Sequence, residues 1–200
     1  DRLSKDIAFL DVKEVDENWN PRMANYRVYR YRLEGIEFWR YPGDVFLEWL
    51  EIFEGTYDAT NFARLEEGKN PLRTIISCKP WIVDGRVVGF EIIGEAFLWN
   101  QVRRTAMALH KMCIGELDPK DVLSAKLNPQ IEYDFGVAPS DWLILWGVDW
   151  DEIPLPESLT EIRCFSAPPQ GPAVERTMRK RWREGARHEM KSLLYNQWAE

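Results

Sequence analysis

The chain has 200 residues, of which 45% are hydrophobic, and a formal net charge of −7. This length suits one domain or two small ones, and the hydrophobic fraction is large enough for a core, which excludes disorder over most of the chain. No apolar run approaches the about 20 residues that cross a bilayer, so we expect no membrane partner. The chain has only two histidines and three scattered cysteines, so a metal site and histidine-based catalysis are poorly supported. The cysteine pattern favours a reducing cytoplasm.

Positive charge is concentrated in two segments despite the acidic balance. Residues 22–32 hold four arginines and no acidic residue, and residues 175–191 hold seven basic residues against three acidic ones. The net charge argues weakly against nonspecific nucleic-acid binding, but local patches of this kind keep RNA open as a partner. Three roles remain possible for the basic segment near the C-terminus: a solvated tail, a dimer contact or an RNA clamp.

The first half of the chain predicts two strands and one helix. Residues 7–15 alternate weakly and indicate a strand, and the polar residues 16–25 indicate a connection. Residues 26–33 (YRVYRYRL) predict a strand with two mixed faces, which is typical of a strand that lines a polar cleft. The alternative is a half-exposed strand whose arginines extend to solvent. A helix is expected over 45–53, followed by a loop over 55–73.

The second half begins with a hairpin and a long helix. Strands are predicted over 74–83 and 86–95, joined by Asp84–Gly85, a pair that strongly favours a two-residue turn. Helical spacing of apolar residues begins at Leu98, and Gly115 is expected to end the helix in a left-handed conformation.

The remaining elements lie toward the C-terminus. A short helix is predicted over 120–126. The nearly continuous apolar run at 142–150 predicts a last strand that is buried on both faces. Residues 151–172 are rich in proline, and residues 173–198 predict a charged terminal helix.

Residues 26–150 therefore predict the order strand, helix, strand, strand, helix, strand. This order is that of the α+β, ferredoxin-like split βαβ sheet, with four antiparallel strands and both helices on one face. The fold hosts many functions and does not give this one. We divide the chain into residues 1–25, a last strand and linker from a preceding unit, residues 26–150, the folded subdomain, and residues 151–200, a proline-rich connection with a basic helix.

An arginine pair, Arg103 and Arg104, falls early in the long central helix. Two cations there add to the partial positive charge of the helix start, so an anion such as a carboxylate or a phosphate is expected nearby. The alternative is two solvated arginines on an exposed face. Successive helical residues are about 100° apart, so the two side chains cannot both point the same way.

Six segments in order carry a resemblance to one known family. They are LSKDIAFLDVKEV (3–15), WNPRMANYRVYRY (19–31), EGTYDATNF (54–62), NPLRTI (70–75), FEIIGEAFLWNQVRRTAMAL (90–109) and APSDWLILWGVDW (138–150). Together they resemble the C-terminal half of the tRNA pseudouridine synthase A family, whose enzymes isomerise uridines in the anticodon stem-loop of tRNA.

The resemblance implies a cofactor-free isomerase whose C-terminal subdomain binds RNA and pairs as a homodimer. Tyr29 lies where the family's tyrosine stacks on the target base and aids proton transfer. Arg103 lies where the family's arginine pairs with the catalytic aspartate, and Leu143 where an apolar side chain packs beneath the flipped base. The predicted RNA contacts are Arg27, Arg30, Arg73 and Arg104.

The family's nucleophile lies in a GRTDxGVHA loop, and this sequence contains no such loop. Asp58 in GTYDAT matches instead a second, noncatalytic aspartate, for which a turn or helix cap is the plainer role. We therefore expect the nucleophile-bearing half to be truncated, lost or supplied by another chain, and this part alone to be inactive.

Two other functions stay open. The missing nucleophile, the ten tryptophans and departures from the family pattern favour a noncatalytic RNA-binding or scaffold protein of a ribonucleoprotein. These departures are at Asn20, Pro21, Glu95, Trp142 and Ile144. A small-molecule-binding domain is supported by the fold alone.

Overall fold

The structure is a computed structural model that describes residues 12–154 and 176–197 of the chain. Five strands and four α-helices lie within these residues. The strands are β1 (Tyr26–Tyr31), β2 (Gly55–Asp58), β3 (Leu72–Val83), β4 (Arg86–Gly94) and β5 (Leu143–Asp149). The helices are α1 (Val45–Glu51), α2 (Gln101–Cys113), α3 (Pro119–Leu127) and α4 (Arg176–Gln197). None of these helices is both long enough and apolar enough to cross a membrane.

The strands form one antiparallel sheet in the order β2-β3-β4-β1-β5. Four of them, β3-β4-β1-β5, have the order of a ferredoxin-like sheet, with α1 following the first strand in the chain and α2 preceding the last. The predicted α+β, ferredoxin-like fold is therefore confirmed. The β3–β4 turn has positive φ angles at Asp84 (50°) and Gly85 (72°), as the Asp-Gly pair predicts.

The strand β2 lies where the sequence predicts a loop, so that prediction is wrong. Gly55 enters the strand with a φ of 95°, and the backbone then pairs with β3. The hydroxyls of Thr56 and Thr74 lie 3.0 Å apart across this pair, and Tyr57 is buried. Four residues are too few to show a periodicity, and the pairing depends on a partner strand that comes 14 or more residues later.

The strand β5 is an edge strand, and its predicted burial on both faces is wrong. Ile144 and Trp146 are buried on one face, but Leu145 on the other face is 47% exposed. The register between β1 and β5 shifts at Val28 and Tyr29, which leaves Trp146 as the extra residue of a bulge. An apolar run therefore does not distinguish a strand buried on both faces from an edge strand.

The predicted strand over 7–15 lies largely outside the described residues, and residues 12–15 form no helix or strand. Residues 155–172 of the proline-rich segment and residues 173–175 of the predicted terminal helix also lie outside them. The helix α2 begins three residues after Leu98, because Asn100 has a left-handed backbone with a φ of 62°. Gly115 ends the helix with a φ of 76°, as predicted.

The helix α4 packs against the rest of the domain, so it is not a freely solvated tail. Trp182 stacks on Trp142 with ring centroids 6.1 Å apart. On the same face of the helix, Ala186, Glu189 and Met190 are buried. From Trp182 to Met190 these residues follow one another at intervals of four, three and one, so their side chains form a single stripe along the helix.

The buried imidazole of His110 in α2 gives a pH-dependent stability. Burial lowers its pKa below the usual 6.5, against the opposing charge of Glu116, and no described residue accepts or donates at its Nδ1 atom. The unfolded chain therefore binds more protons below about pH 6.5, so stability is complete above that pH and falls on acidification. We expect the free energy of unfolding, measured by urea denaturation, to fall less between pH 7 and pH 5 in His110→Gln than in the wild type. The exposed His188→Gln variant serves as the control, and equal pH slopes in all three proteins would contradict this role of His110.

Candidate active-site and RNA-binding cleft

The connection between β4 and α2, residues 95–100 (EAFLWN), positions the side chains around the candidate site. Phe97 packs edge-on against Tyr29 of β1, with ring centroids 5.0 Å apart. Asn100, in its left-handed conformation, accepts a hydrogen bond from Arg103 through Oδ1 at 3.1 Å. One short segment therefore contacts both predicted catalytic residues.

Tyr29 lies in the central part of the sheet and is half-buried. It pairs with Ile92 of β4 on one side and with Leu145 of β5 on the other. Burial raises the pKa of its phenol, and the charge of Arg27 opposes that shift. The phenol is therefore neutral at pH 7 and can donate a hydrogen bond while its ring offers an aromatic face.

Arg103 is half-buried and tied to the chain segment before β5. Its Nε donates to the Ala138 carbonyl at 2.7 Å, and the Ala138 amide donates to the Arg103 carbonyl at 3.1 Å. The next residue, Pro139, accepts a hydrogen bond from the Tyr31 hydroxyl at 2.8 Å. These bonds fix the guanidinium beside β1, and no carboxylate of the described residues forms an ion pair with it.

Arg104 points away from Arg103, as the helical geometry requires. Its Nη1 lies 2.9 Å from Asp134, whose side chain is largely exposed. The hydrogen bond from the Gly136 amide, and then the one from Arg104, hold the pKa of Asp134 below its usual value. The structure therefore separates one arginine held inside the domain from one paired at the surface.

Two leucines of β5 lie on the same face of the sheet as Tyr29. Leu143, the residue that the resemblance implies, pairs with Tyr31. Leu145 pairs directly with Tyr29, and its side chain is 47% exposed on the same face of the sheet. The motif alone does not single out Leu145, because the bulge in β5 sets the register and leaves no mark in the sequence.

The other predicted RNA contacts, Arg27, Arg73 and Arg30, lie in different parts of the sheet. Arg27 is near the site and donates to the carbonyls of Glu95 (2.6 Å) and Arg22 (2.8 Å). Arg73 lies at the start of β3 and donates to the Asn70 and Leu72 carbonyls.

Arg30 lies on the opposite face of the sheet from Tyr29, because neighbouring strand residues alternate. Its Nε lies 2.7 Å from Glu91, and its guanidinium carbon is 4.0 Å from the ring centroid of Trp146. The structure therefore does not bring Arg30 together with Tyr29 and Arg103.

The described residues contain no group of histidine, cysteine, aspartate and glutamate side chains that could hold a metal ion. The side chains that the structure brings together here are an aromatic ring, an arginine and apolar residues. Such a site can stack on a base and can hold a carboxylate.

Comparisons with known proteins point to one family. A family model described as tRNA pseudouridine synthase matches residues 50–151. A tRNA pseudouridine synthase A from Thermococcus gammatolerans is 36% identical over 151 residues, which are 74% of this chain and 54% of that protein. Proteins of the same name from Methanoculleus marisnigri (34% identical, 74% and 53% covered) and Methanopyrus kandleri (30% identical, 76% and 58% covered) are also similar. The chain spans about half the length of the curated relatives that it matches.

Proposed function

Because the chain belongs to the tRNA pseudouridine synthase family, we propose that it supplies the tRNA-binding part of an enzyme that converts uridine to pseudouridine in the anticodon stem-loop. The observation that carries this proposal is that Arg103 is held in place without a carboxylate partner among the described residues. Its guanidinium donates hydrogen bonds to Ala138 and Asn100 and lies beside β1, yet it pairs with no carboxylate of the described residues. A nucleophilic aspartate from the remaining part of the enzyme is the partner that this site needs.

In this proposal Arg103 orients the aspartate, and β1 and β5 receive the base. The target base leaves its stack, and the ring of Tyr29 with the side chains of Leu143 and Leu145 replaces the lost stacking. The aspartate attacks or assists cleavage of the bond between C1′ of the ribose and N1 of the uracil. The uracil turns and C5 forms the new bond to C1′, which breaks the bond from C1′ to the aspartate oxygen where the aspartate has attacked. The proton on C5 then leaves and N1 gains a proton.

The neutral phenol of Tyr29 suits this sequence of steps. Its hydroxyl can hydrogen-bond the base or relay the proton that leaves C5, and burial raises the pKa of the phenol further above its usual value of about 10. The reaction needs no cofactor, because the bond that breaks and the bond that forms involve the same base and sugar.

The proposal also states how the enzyme is assembled. The nucleophile-bearing part joins this one in cis or as a second chain, and the enzyme acts in the cytoplasm as a homodimer. Sedimentation of the complete enzyme measures the dimer, and a monomer at working concentration would contradict that part.

The test is reconstitution with the aspartate-bearing half of a family member. We expect residues 1–200 alone to bind tRNA but to release no tritium from tRNA that carries 5-³H-uridine, since the proton on C5 is lost only when pseudouridine forms. Adding the aspartate-bearing half should start tritium release, and the same half with its aspartate changed to alanine should not. Activity of residues 1–200 alone would contradict the division of roles.

A noncatalytic RNA-binding protein is the second candidate, and the missing carboxylate beside Arg103 favours it as well. It predicts salt-sensitive tRNA binding with no tritium release after the aspartate-bearing half is added. The departures at Trp142 and Ile144 do not by themselves favour it. Both side chains are buried, and Trp142 lies against Gly35, where any added Cβ would fall about 2.1 Å from its ring.

A further inference from the structure

An exposed tryptophan stands at the start of α2, beside the cleft. Trp99 is 52% exposed, although burying so large a ring stabilises a folded domain more than almost any other side chain. The neighbours Phe97 and Asn100 contact Tyr29 and Arg103, so the position of Trp99 is fixed by the same segment that fixes the site. One residue, Leu98, lies between Phe97 and Trp99, which places their Cα atoms at most about 7.6 Å apart.

Arg64 covers part of this ring. The Arg64 amide donates to the Trp99 carbonyl at 2.8 Å, and the guanidinium carbon lies 4.5 Å from the ring centroid. The Arg64 side chain is exposed and forms no ion pair with a carboxylate of the residues that the structure describes. The pair thus combines an aromatic surface with a cation that has no acidic partner there.

We propose that Trp99 and Arg64 form a nucleotide-binding subsite for the RNA next to the target uridine, with the base stacked on the exposed part of the indole and the phosphate paired with Arg64. The inference rests on the proposed function and adds a contact that the family motifs do not assign. Base stacking on aromatic side chains is a usual way to hold unpaired RNA, and it needs no particular base. The cation–π contact also holds the indole in place before RNA arrives.

The charge around the pair favours RNA over a protein partner. Arg27 and Arg103 contact the connection that carries Trp99. The acidic side chains close in sequence are Glu95 in that connection and Glu66 and Glu67 after Arg64, and Lys69 follows them. The arginines at the pair therefore give a local attraction for phosphate even though the whole chain is acidic. The anticodon stem-loop supplies both the unpaired bases and the phosphates.

The experiment measures the affinity of the full 200-residue chain for a tRNA transcript at several salt concentrations. We expect Trp99→Ala to weaken binding by about 5- to 100-fold and Trp99→Phe to retain most of the affinity, because the smaller ring still stacks. We expect Arg64→Gln to make the plot of log affinity against log salt flatter by about 0.7, the contribution of one single-stranded phosphate. The backbone bond between the two residues does not depend on either side chain, so both variants should fold, as circular dichroism can verify.

The controls are Leu127→Ala, a side chain that is 68% exposed on α3, and Arg40→Gln, an exposed arginine elsewhere. Neither should change the affinity or its salt dependence. If the wild type binds tRNA and Trp99→Ala binds equally well, the subsite is wrong and the proposed function stands. If the wild type does not bind tRNA at all, both the subsite and the proposed function are wrong. A loss in Trp99→Ala that Trp99→Phe shares equally would also overturn the stacking role.

Discussion

Replacing Arg103 by alanine in the reconstituted enzyme is expected to slow pseudouridine formation by at least about 100-fold, while tRNA affinity stays nearly unchanged. The guanidinium is held by Ala138 and Asn100 at 2.7 and 3.1 Å, so it is already oriented before an aspartate arrives. Without it, the aspartate loses a charge-assisted partner and its orientation toward the ribose. Single-turnover tritium release measures the rate, and filter binding measures the affinity.

Two variants make this prediction specific. Arg104→Ala is the matched control, because it removes the neighbouring arginine, which pairs with Asp134 at the surface. It should leave the rate of the chemical step close to that of the wild type. Arg103→Lys keeps the charge but not the planar fork, so we expect only partial recovery. If Arg103→Ala weakens tRNA binding as much as it slows the reaction, the anion that this arginine meets is a phosphate and not the aspartate.

The sequence predicted the order of elements well because that order depends on local patterns. The hairpin needed only Asp84 and Gly85, and the end of α2 needed only Gly115. The divergence of Arg103 and Arg104 followed from helix geometry alone. The register of β5 depended on a bulge at Trp146, and no local pattern places Leu145 opposite Tyr29.

The cluster of arginines in residues 22–32 shows most clearly what a sequence pattern cannot distinguish. Alternation along the predicted strand separates Arg27 from Arg30, and the structure places Arg27 near the site and Arg30 on the other face of the sheet. Arg32 is fully buried. Its partners are Glu34, two residues away, and Glu189, which is 157 residues away and belongs to α4. Long-range charge pairing of this kind becomes visible only in the folded chain.

Arg32 is also the residue whose loss should cost the most stability. Its Nε donates to Glu34 Oε2 at 3.0 Å, and its Nη1 donates to Glu189 Oε2 at 3.0 Å. Both carboxylates are nearly inaccessible, and Arg86 binds the other oxygen of Glu34. Since Arg32→Ala leaves buried negative charge with less compensation, we expect the free energy of unfolding to fall by about 3–5 kcal/mol. Urea denaturation followed by circular dichroism measures this change.

A control variant in α4 distinguishes the effect of losing a buried ion pair from the effect of losing an exposed one. Arg183 of α4 lies 3.7 Å from Glu37, and both side chains are more than a third exposed. Arg183→Ala should therefore change the free energy of unfolding by less than about 1 kcal/mol. A similar loss in the two variants would show that the buried position of Arg32 does not matter.

The buried ion pair between Arg32 and Glu189 also joins α4 to the rest of the domain. Removing it should therefore loosen α4 in particular, in addition to lowering the stability of the whole domain. Arg32 lies over the ring of Trp182, 5.4 Å from its centroid, and Trp182 stacks on Trp142. Where Arg32→Ala does not fold, Glu189→Gln removes one charge and keeps the shape of the side chain. We expect amide hydrogen exchange in residues 182–192 to rise in Glu189→Gln while exchange in β1, β3 and β4 stays slow. Equal protection of α4 in this variant and in the wild type would mean that the aromatic stack alone holds the helix in place.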